Sequence, residues 1–186
     1  MKVVTSTVLS RLPPHLERSF SGRERAPNAV YDYVSDNEEM VVYEEFVAKT
    51  GGRLDALDVT AEVLSVVKAS GVSNGSVLIF SPHTTCCVVL AERGGDTTSA
   101  LELALKTIAP DNGYYAHDDL DIRTENLVDD EHANAPAHIF HVFAGKASEC
   151  IPIVRGAVAL GPEQRVLFLE LDCSRERRYL VQVVGE

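Results

Sequence analysis

Apolar and polar positions along the chain predict a fold of short strands interleaved with helices. Residues 40–48 alternate and are rich in β-branched side chains, which is typical of a strand. Two short apolar runs, residues 76–81 and 86–90, are typical of central strands and have a polar junction between them. Four more strand-like segments close the chain, at residues 149–154, 157–160, 166–172 and 179–184. Strands therefore dominate the C-terminal third.

Three other segments combine apolar residues at helical spacing with residues that favour helix ends. The predicted start and end signals are Asp58 and Gly71 for the first helix, Asp96 or Thr97 and Pro110 for the second, and Asn134 and Gly145 for the third. Residues 114–131 are acidic and almost without an apolar pattern, so we predict a loop there.

Residues 1–37 differ from the rest of the chain. They contain three prolines and scattered charges, with no sustained period of a strand or a helix. We predict an appended arm over residues 1–37, partly disordered, and one domain over residues 38–186.

Composition and charge narrow the classes of function. The chain has 186 residues, of which 45% are hydrophobic and 24% charged, which suits one globular domain. Its net charge of -11 repels a phosphate backbone and an anionic bilayer, so nucleic acid and membrane are poor partners. No apolar stretch approaches the roughly 20 residues that span a bilayer, and residues 1–10 lack the order of a secretory signal. We expect a cytoplasmic protein.

The four cysteines agree with that location. Cys86 and Cys87 are neighbours, whereas Cys150 and Cys173 stand alone, so no Cys-x-x-Cys pair suggests a zinc ribbon or a redox dithiol. We predict reduced and mostly buried thiols.

Three histidines lie where secondary structure alone does not require them: His83 between two strands, His117 at the acidic loop and His138 in a first helical turn. Imidazoles that converge can hold a divalent metal or a phosphate, and each can instead be a solvent-facing or structurally satisfied side chain. His141, three residues after His138, either shares that ligation or faces solvent. His132 is interpreted as a bystander beside the Asn134 helix cap.

Carboxylates and hydroxyl groups accompany these histidines. Residues 117–121 place several aspartates beside an imidazole, which suits Mg²⁺ or is a solvated acidic loop. Thr84 and Thr85 can donate hydrogen bonds to an anion, although threonine is also favoured at strand starts.

A basic cluster near the C-terminus suggests a small anionic ligand. Arg175, Arg177 and Arg178 can pair with phosphate, or they form a charged hairpin turn. Glu170 and Asp172, just before the cluster, are candidate ion-pair partners of these arginines. Gln164 and Gln182 are weaker amide candidates for binding.

Taken together, these segments resemble the YjbQ family, also called the secondary thiamine-phosphate synthase family. The matching motifs are Ser81-Pro82-His83-Thr84-Thr85, Glu92, His117-Asp118-Asp119, Asn134-Ala135-Pro136-Ala137-His138, the segment from Ala159 to Gln164, Glu170-Leu171-Asp172, and the segment from Arg175 to Gln182. They span residues 41–186. The chain departs from the family at residues 92–96, at Pro162-Glu163, and at residues 172–175, where the family commonly has Asp-Gly-Pro-Arg and this chain has Asp-Cys-Ser-Arg.

The resemblance implies a compact α+β fold, a mixed or antiparallel β-sandwich with a few helices, that assembles as a homotrimer. It also implies a weak ability to join a hydroxymethylpyrimidine diphosphate to a thiazole phosphate, making thiamine phosphate. Two alternatives stay open: a metal-dependent phosphatase, and a non-catalytic trimeric module that binds a phosphorylated metabolite.

By the same resemblance, the site residues fall into three groups. His83, His117 and His138 would hold a divalent metal, Mg²⁺ or Zn²⁺, or a phosphate of a small phosphorylated substrate. Asp118 and Asn134 would support these histidines in catalysis. The predicted phosphate-binding residues are Thr84, Thr85, Gln164, Arg175, Arg177 and Arg178.

Overall fold

A computed structural model describes residues 33–34, 40–125, 127 and 132–186 of the chain. Within these residues the strands are Tyr33–Val34 (β1), Met40–Lys49 (β2), Ala56–Asp58 (β3), Asn74–Phe80 (β4), Cys86–Glu92 (β5), Ser148–Val154 (β6), Ala157–Val158 (β7), Gln164–Glu170 (β8) and Glu176–Gly185 (β9). The helices are Thr60–Ser70 (α1), Gly95–Ile108 (α2) and Ala135–Ala144 (α3), with one 3₁₀ turn at Ala116–Asp118.

The strands form two antiparallel sheets. Six strands are ordered β1-β2-β9-β4-β6-β7 and three are ordered β3-β8-β5. Every pairing is antiparallel, and Val88 of β5 also bridges to Lys146 just before β6. The predicted α+β class with antiparallel sheets is therefore confirmed.

Strand β8 explains how the layers hold together, because both of its faces are buried. Val166 and Phe168 belong to a core that includes both sheets and the valines of α1. Leu167 and Leu169 alternate with them and belong to a second core with residues of α2 and α3. A strand buried on both faces anchors the loop that follows it, and this loop contributes to the site described below.

Of the predicted ends of the first helix, Gly71 is confirmed, whereas Asp58 lies one residue before the N-cap, which is Val59. Asp58 Oδ1 accepts a hydrogen bond of 3.1 Å from the Thr60 backbone N–H at the start of α1. Gly71 ends α1 with φ of 72°, a left-handed conformation that glycine adopts without a steric penalty.

Three differences from the sequence predictions concern local structure. Strand β3 was not predicted, since three residues carry too little pattern to distinguish them from a turn. The cysteines are unpaired, but only Cys86 and Cys87 are buried, whereas Cys150 and Cys173 are exposed. Of the predicted arm, the structure describes only β1, which pairs with the start of β2; the rest lies outside the described residues.

None of the helices in the described part of the chain is long and apolar enough to cross a membrane.

Candidate functional site

A cleft of about 480 Å³ collects most of the polar residues singled out in the sequence. It is lined by the loop between β4 and β5, the 3₁₀ turn, the start of α3 and the hairpin between β8 and β9. Its lining residues are Pro82, His83, Thr84, Thr85, His117, Arg123, Asn134, His138, Arg175 and Arg177. The three predicted histidines thus line one cavity, although they lie far apart along the chain.

His83 is fixed as a hydrogen-bond acceptor at one ring nitrogen. Its Nε2 accepts the backbone N–H of Arg178 at 2.9 Å, so the neutral ring carries its proton on Nδ1. Burial lowers the pKa of His83 and the Arg177 guanidinium lowers it further, while the Glu170 carboxylate raises it and only partly offsets these effects. A neutral imidazole with an N–H at Nδ1 is a donor suited to an oxyanion.

The lowered pKa of His83 makes a prediction about stability and pH. In the unfolded chain this imidazole titrates near about 6.5, and in the folded chain lower. The unfolded state therefore takes up the proton first, so the free energy of unfolding decreases as the pH falls through 6.5 toward the folded pKa. We expect His83→Gln to show a smaller decrease between pH 7 and pH 5.5 than the wild type, in urea unfolding followed by circular dichroism. Equal decreases in both proteins would contradict this account.

His117 and His138 lie side by side, with ring centroids 4.7 Å apart. His117 Nδ1 lies 3.0 Å from Asp118 Oδ1, and this carboxylate holds the proton on Nδ1 and leaves Nε2 as an acceptor. The same Asp118 oxygen accepts the backbone N–H groups of Asn134 and Ala135 at 3.0 and 2.8 Å. Asp118 therefore caps α3 from a distant loop and orients His117 at the same time.

Asn134 differs from its predicted capping role. Its side chain makes no cap hydrogen bond to α3; instead, Nδ2 donates to Asp172 Oδ2 at 3.1 Å. The other amide atom, Oδ1, is buried and has no hydrogen-bond partner among the residues that the structure describes. Because an unsatisfied buried acceptor is costly, this oxygen is placed to accept a donor group from a ligand in the cleft.

A buried ion pair underlies the cleft. Arg177 is 5% exposed and donates to both carboxylate oxygens of Glu170, which is fully buried, at 2.6 Å each. Glu170 also accepts from Thr50 Oγ1 and from the Asp172 backbone N–H, and Arg177 Nη2 also donates to Thr85 Oγ1 at 3.1 Å. This satisfied network fixes Thr85 and the Arg177 guanidinium against the cleft.

The second acidic residue pairs with Arg175, as the sequence suggested. Arg175 Nη2 lies 3.3 Å from Asp172 Oδ2, and the Arg175 side chain is 39% exposed. Both carboxylates before the basic cluster are thus held by its arginines, and neither lines the cleft.

A metal ion held by His83, His117 and His138 does not fit this geometry. His83 offers no lone pair, because Nε2 accepts the Arg178 N–H and Nδ1 carries the proton. The ligand atoms of the three histidines are not among the groups, within the described residues, that lie within 4.8 Å of one another. Guanidinium groups on the same cleft wall also repel a cation. The donors present fit an anion.

Some predicted residues lie outside the cleft. Gln164 starts β8 beside another cavity, where its Oε1 accepts the Gly161 N–H. The Arg178 guanidinium pairs with Glu45 on β2, because neighbouring residues of a strand point to opposite faces, and only the Arg178 backbone reaches His83. His141 donates from Nδ1 to the Cys86 carbonyl and is structural.

Arg123 is a cleft residue that sequence reasoning missed. Its Nη1 donates to the His117 carbonyl at 3.0 Å, and its Nε donates to the Glu125 carbonyl. It lies in the acidic loop, where a single arginine has no pattern of its own. The signal that could have identified it is its position in the same predicted loop as His117, six residues later.

Comparison with known proteins places the chain in a family. The profile of the family described as UPF0047 protein YjbQ-like matches residues 44–186. The UPF0047 protein of Methanothermobacter thermautotrophicus is 32% identical over 148 residues, which cover 79% of this chain and 95% of that protein. The UPF0047 protein of Archaeoglobus fulgidus is 35% identical over 141 residues, 75% of this chain and 99% of that protein. A YbjQ-like protein of unknown function from Sulfolobus solfataricus P2 is similar in structure, with a TM-score of 0.68, 29% identity and coverage of 80% of this chain and 99% of that chain. The chain therefore belongs to the YjbQ-like UPF0047 family.

Proposed function

We propose that the cleft binds the phosphate or diphosphate group of a small metabolite. One observation carries the proposal: the described lining holds three imidazoles, three guanidinium groups, two hydroxyls and no carboxylate, although the whole chain has a net charge of -11. Among the described residues next to the cleft, Asp118, Glu170 and Asp172 each pair with another group of the protein. A local set of donors within a negative surface selects a small anion and excludes a long polyanion.

The contacts suggest which groups would meet the anion. The His83 Nδ1–H faces the cleft as a donor, and the Thr85 hydroxyl accepts from Arg177 and keeps its own proton to donate. Thr84 is exposed beside them. Arg177, fixed by Glu170, supplies a rigid positive charge, and Arg175 supplies a more mobile one. Hydrogen bonds to a charged group are worth about 1.5–3 kcal/mol each, so a few such contacts give useful affinity.

The reaction that the family resemblance implies fits these donors. In a thiamine-phosphate synthase reaction, the bond between the methylene carbon of a pyrimidine diphosphate and its oxygen breaks, and the electron pair leaves on the diphosphate. The lone pair of the thiazole nitrogen forms the new carbon–nitrogen bond. Cationic donors that hold the diphosphate stabilise the charge that develops on the leaving oxygen.

Two further residues would act on the organic part of the substrate. Asn134 Oδ1 can accept a hydrogen bond from an amino group, such as that of an aminopyrimidine. His117, held by Asp118, and the adjacent His138 would contact the remaining face of the bound molecule. The family resemblance supports these assignments through the Asn134-to-His138 motif.

Binding of inorganic pyrophosphate to the full chain tests the proposal. By isothermal titration calorimetry, we expect His83→Ala and Arg175→Ala each to weaken binding about tenfold or more, since each removes a charge-assisted hydrogen bond. Arg178→Ala is the control, because it removes the same charge from a side chain that points away from the cleft. Equal losses in Arg175→Ala and Arg178→Ala would show only a general effect of charge and would contradict a specific site.

Turnover then separates the candidate reactions. Thiamine phosphate formed from the two phosphorylated precursors supports the synthase assignment. Inorganic phosphate released without a coupled product supports the phosphatase alternative, and tight binding with no turnover supports the binding module. The homotrimer implied by the resemblance stays a prediction, which light scattering of the purified protein checks.

A further inference from the structure

We propose that His132, Asp172 and Cys173 bind a divalent cation of borderline softness, such as Zn²⁺, beside the phosphate cleft. These three residues are the set of potential ligands among the described residues whose nitrogen, oxygen and sulfur atoms all lie within 4.8 Å of one another. The inference goes beyond the proposed function and does not depend on it, because none of the three ligands lines the cleft.

The spacing of the three ligand atoms agrees with one coordination sphere. His132 Nε2 lies 3.1 and 3.3 Å from the two Asp172 oxygens and 3.8 Å from Cys173 Sγ. Around a tetrahedral zinc ion, the bond lengths to nitrogen, oxygen and sulfur put these atoms at separations of about 3.3 Å for nitrogen to oxygen and about 3.6 Å for nitrogen to sulfur. The observed separations differ from these by only a few tenths of an ångström, so small side-chain movements would complete the site.

The ligand types and their anchoring also suit zinc. A mixture of imidazole, carboxylate and thiolate is a donor set that zinc accepts, with water or another ligand in the fourth position. Asp172 is 9% exposed and receives the Asn134 Nδ2 hydrogen bond, which orients its carboxylate from behind. Cys173 is exposed at the next position in the chain, so the site is open to solvent.

The positively charged Arg175 guanidinium already contacts all three of these ligands. Arg175 Nη2 is 3.3 Å from Asp172 Oδ2 and 3.0 Å from His132 Nε2, and Arg175 Nε donates to Cys173 Sγ at 3.2 Å. The pocket therefore attracts positive charge, and a metal ion must replace the guanidinium to enter. The Arg175 side chain is 39% exposed, so it can swing toward solvent or the cleft.

Titration of the full chain with Co²⁺ and Zn²⁺ in phosphate-free buffer at one pH tests the site. We expect one Co²⁺ per chain, with a near-ultraviolet thiolate-to-cobalt band that Zn²⁺ removes by competition. Cys173→Ser should abolish the band, and His132→Ala should weaken Co²⁺ binding about tenfold or more. Cys150→Ser is the matched control, because it removes the other exposed thiol, and it should keep both band and affinity.

Arg175→Ala gives a test in the opposite direction. Loss of the competing guanidinium should tighten metal binding severalfold, whereas the same variant weakens pyrophosphate binding under the proposed function. A Cys173→Ser variant that binds Zn²⁺ as tightly as the wild type would overturn the metal site, as would weaker metal binding in Arg175→Ala. Failure of the phosphate site appears instead in the pyrophosphate titration, so the two failures are distinguishable.

Unchanged circular dichroism of each variant excludes unfolding as the cause of a change in metal binding.

Discussion

Replacing Glu170 with alanine is expected to lower the free energy of unfolding by about 3–5 kcal/mol, because it leaves the Arg177 charge buried without its partner. Glu170 is fully buried and Arg177 is 5% exposed, so water cannot replace the lost carboxylate. Thr50 and the Asp172 backbone N–H lose an acceptor in the same change. Urea unfolding at one protein concentration measures the loss, since urea does not screen ion pairs.

Neighbouring residues provide the matched control for this ion pair. Arg178, next to Arg177 in β9, pairs with Glu45 at the surface. Glu45→Ala should cost less than about 1 kcal/mol, because water solvates the arginine left behind. Combining Glu170→Leu with Arg177→Met should recover most of the stability lost in Glu170→Ala, since no buried charge remains. Similar costs for Glu45→Ala and Glu170→Ala would contradict the role assigned to burial.

Local signals predicted the elements that flank the site. The apolar runs of β4 and β5 and the polar junction between them placed His83 in a loop, where the structure has it. Gly71 and Asn134 marked helix boundaries because their preferences depend on the nearest few residues. Sheet order was not predictable in this way, because pairing between β8 and β5 depends on contacts across the whole chain.

The sequence predicted which residues line the site better than it predicted what each of them does there. Ordered motifs indicated that His83, His117 and His138 belong together, and the structure lines one cleft with them. Whether the histidines suit a metal depends on a detail that no sequence shows: the backbone N–H of Arg178 occupies the Nε2 lone pair of His83.

His132 shows a contact that the sequence does not indicate. The sequence predicts a bystander of the helix cap, and the structure places this side chain beside Asp172 and Cys173, about 40 residues later. No local pattern in the sequence links positions so far apart. The direction of the Arg178 side chain, away from the cleft, is likewise not predictable until the register of β9 is known.

The Asp118→Ala variant should lose both stability and affinity, because one carboxylate oxygen caps α3 and orients His117. Loss of a helix cap costs about 1 kcal/mol, with a range of about 0.5–2 kcal/mol. Under the proposed function we also expect pyrophosphate binding to weaken about tenfold, since His117 and Asn134 both line the cleft and both lose a fixed position. Urea unfolding and titration calorimetry measure the two effects separately.

The charge on Asp118 adds a dependence on pH. Burial alone would raise the pKa of Asp118, but hydrogen bonds from His117 and from the backbone N–H groups of Ala135 and Asn134 outweigh it and hold the pKa below its ordinary value. The stabilisation is therefore present above about pH 3.9 and is lost as the pH falls through the folded pKa. The wild type should lose more stability on acidification than Asp118→Ala, and this difference should disappear at the lowest pH.

Asp119 is the control for this prediction, because it is the adjacent aspartate and its carboxylate accepts only a surface hydrogen bond from Tyr114 among the described contacts. Asp119→Ala should change neither stability nor pyrophosphate affinity by more than a small fraction of the Asp118→Ala effect. Asp118→Asn separates the two roles: its amide oxygen can still cap α3, so stability should largely return, while the lost charge leaves His117 less firmly held and affinity stays low. If Asp118→Asn restores affinity as fully as stability, the charge on Asp118 has no part in the site, and Asp118 is a helix cap alone.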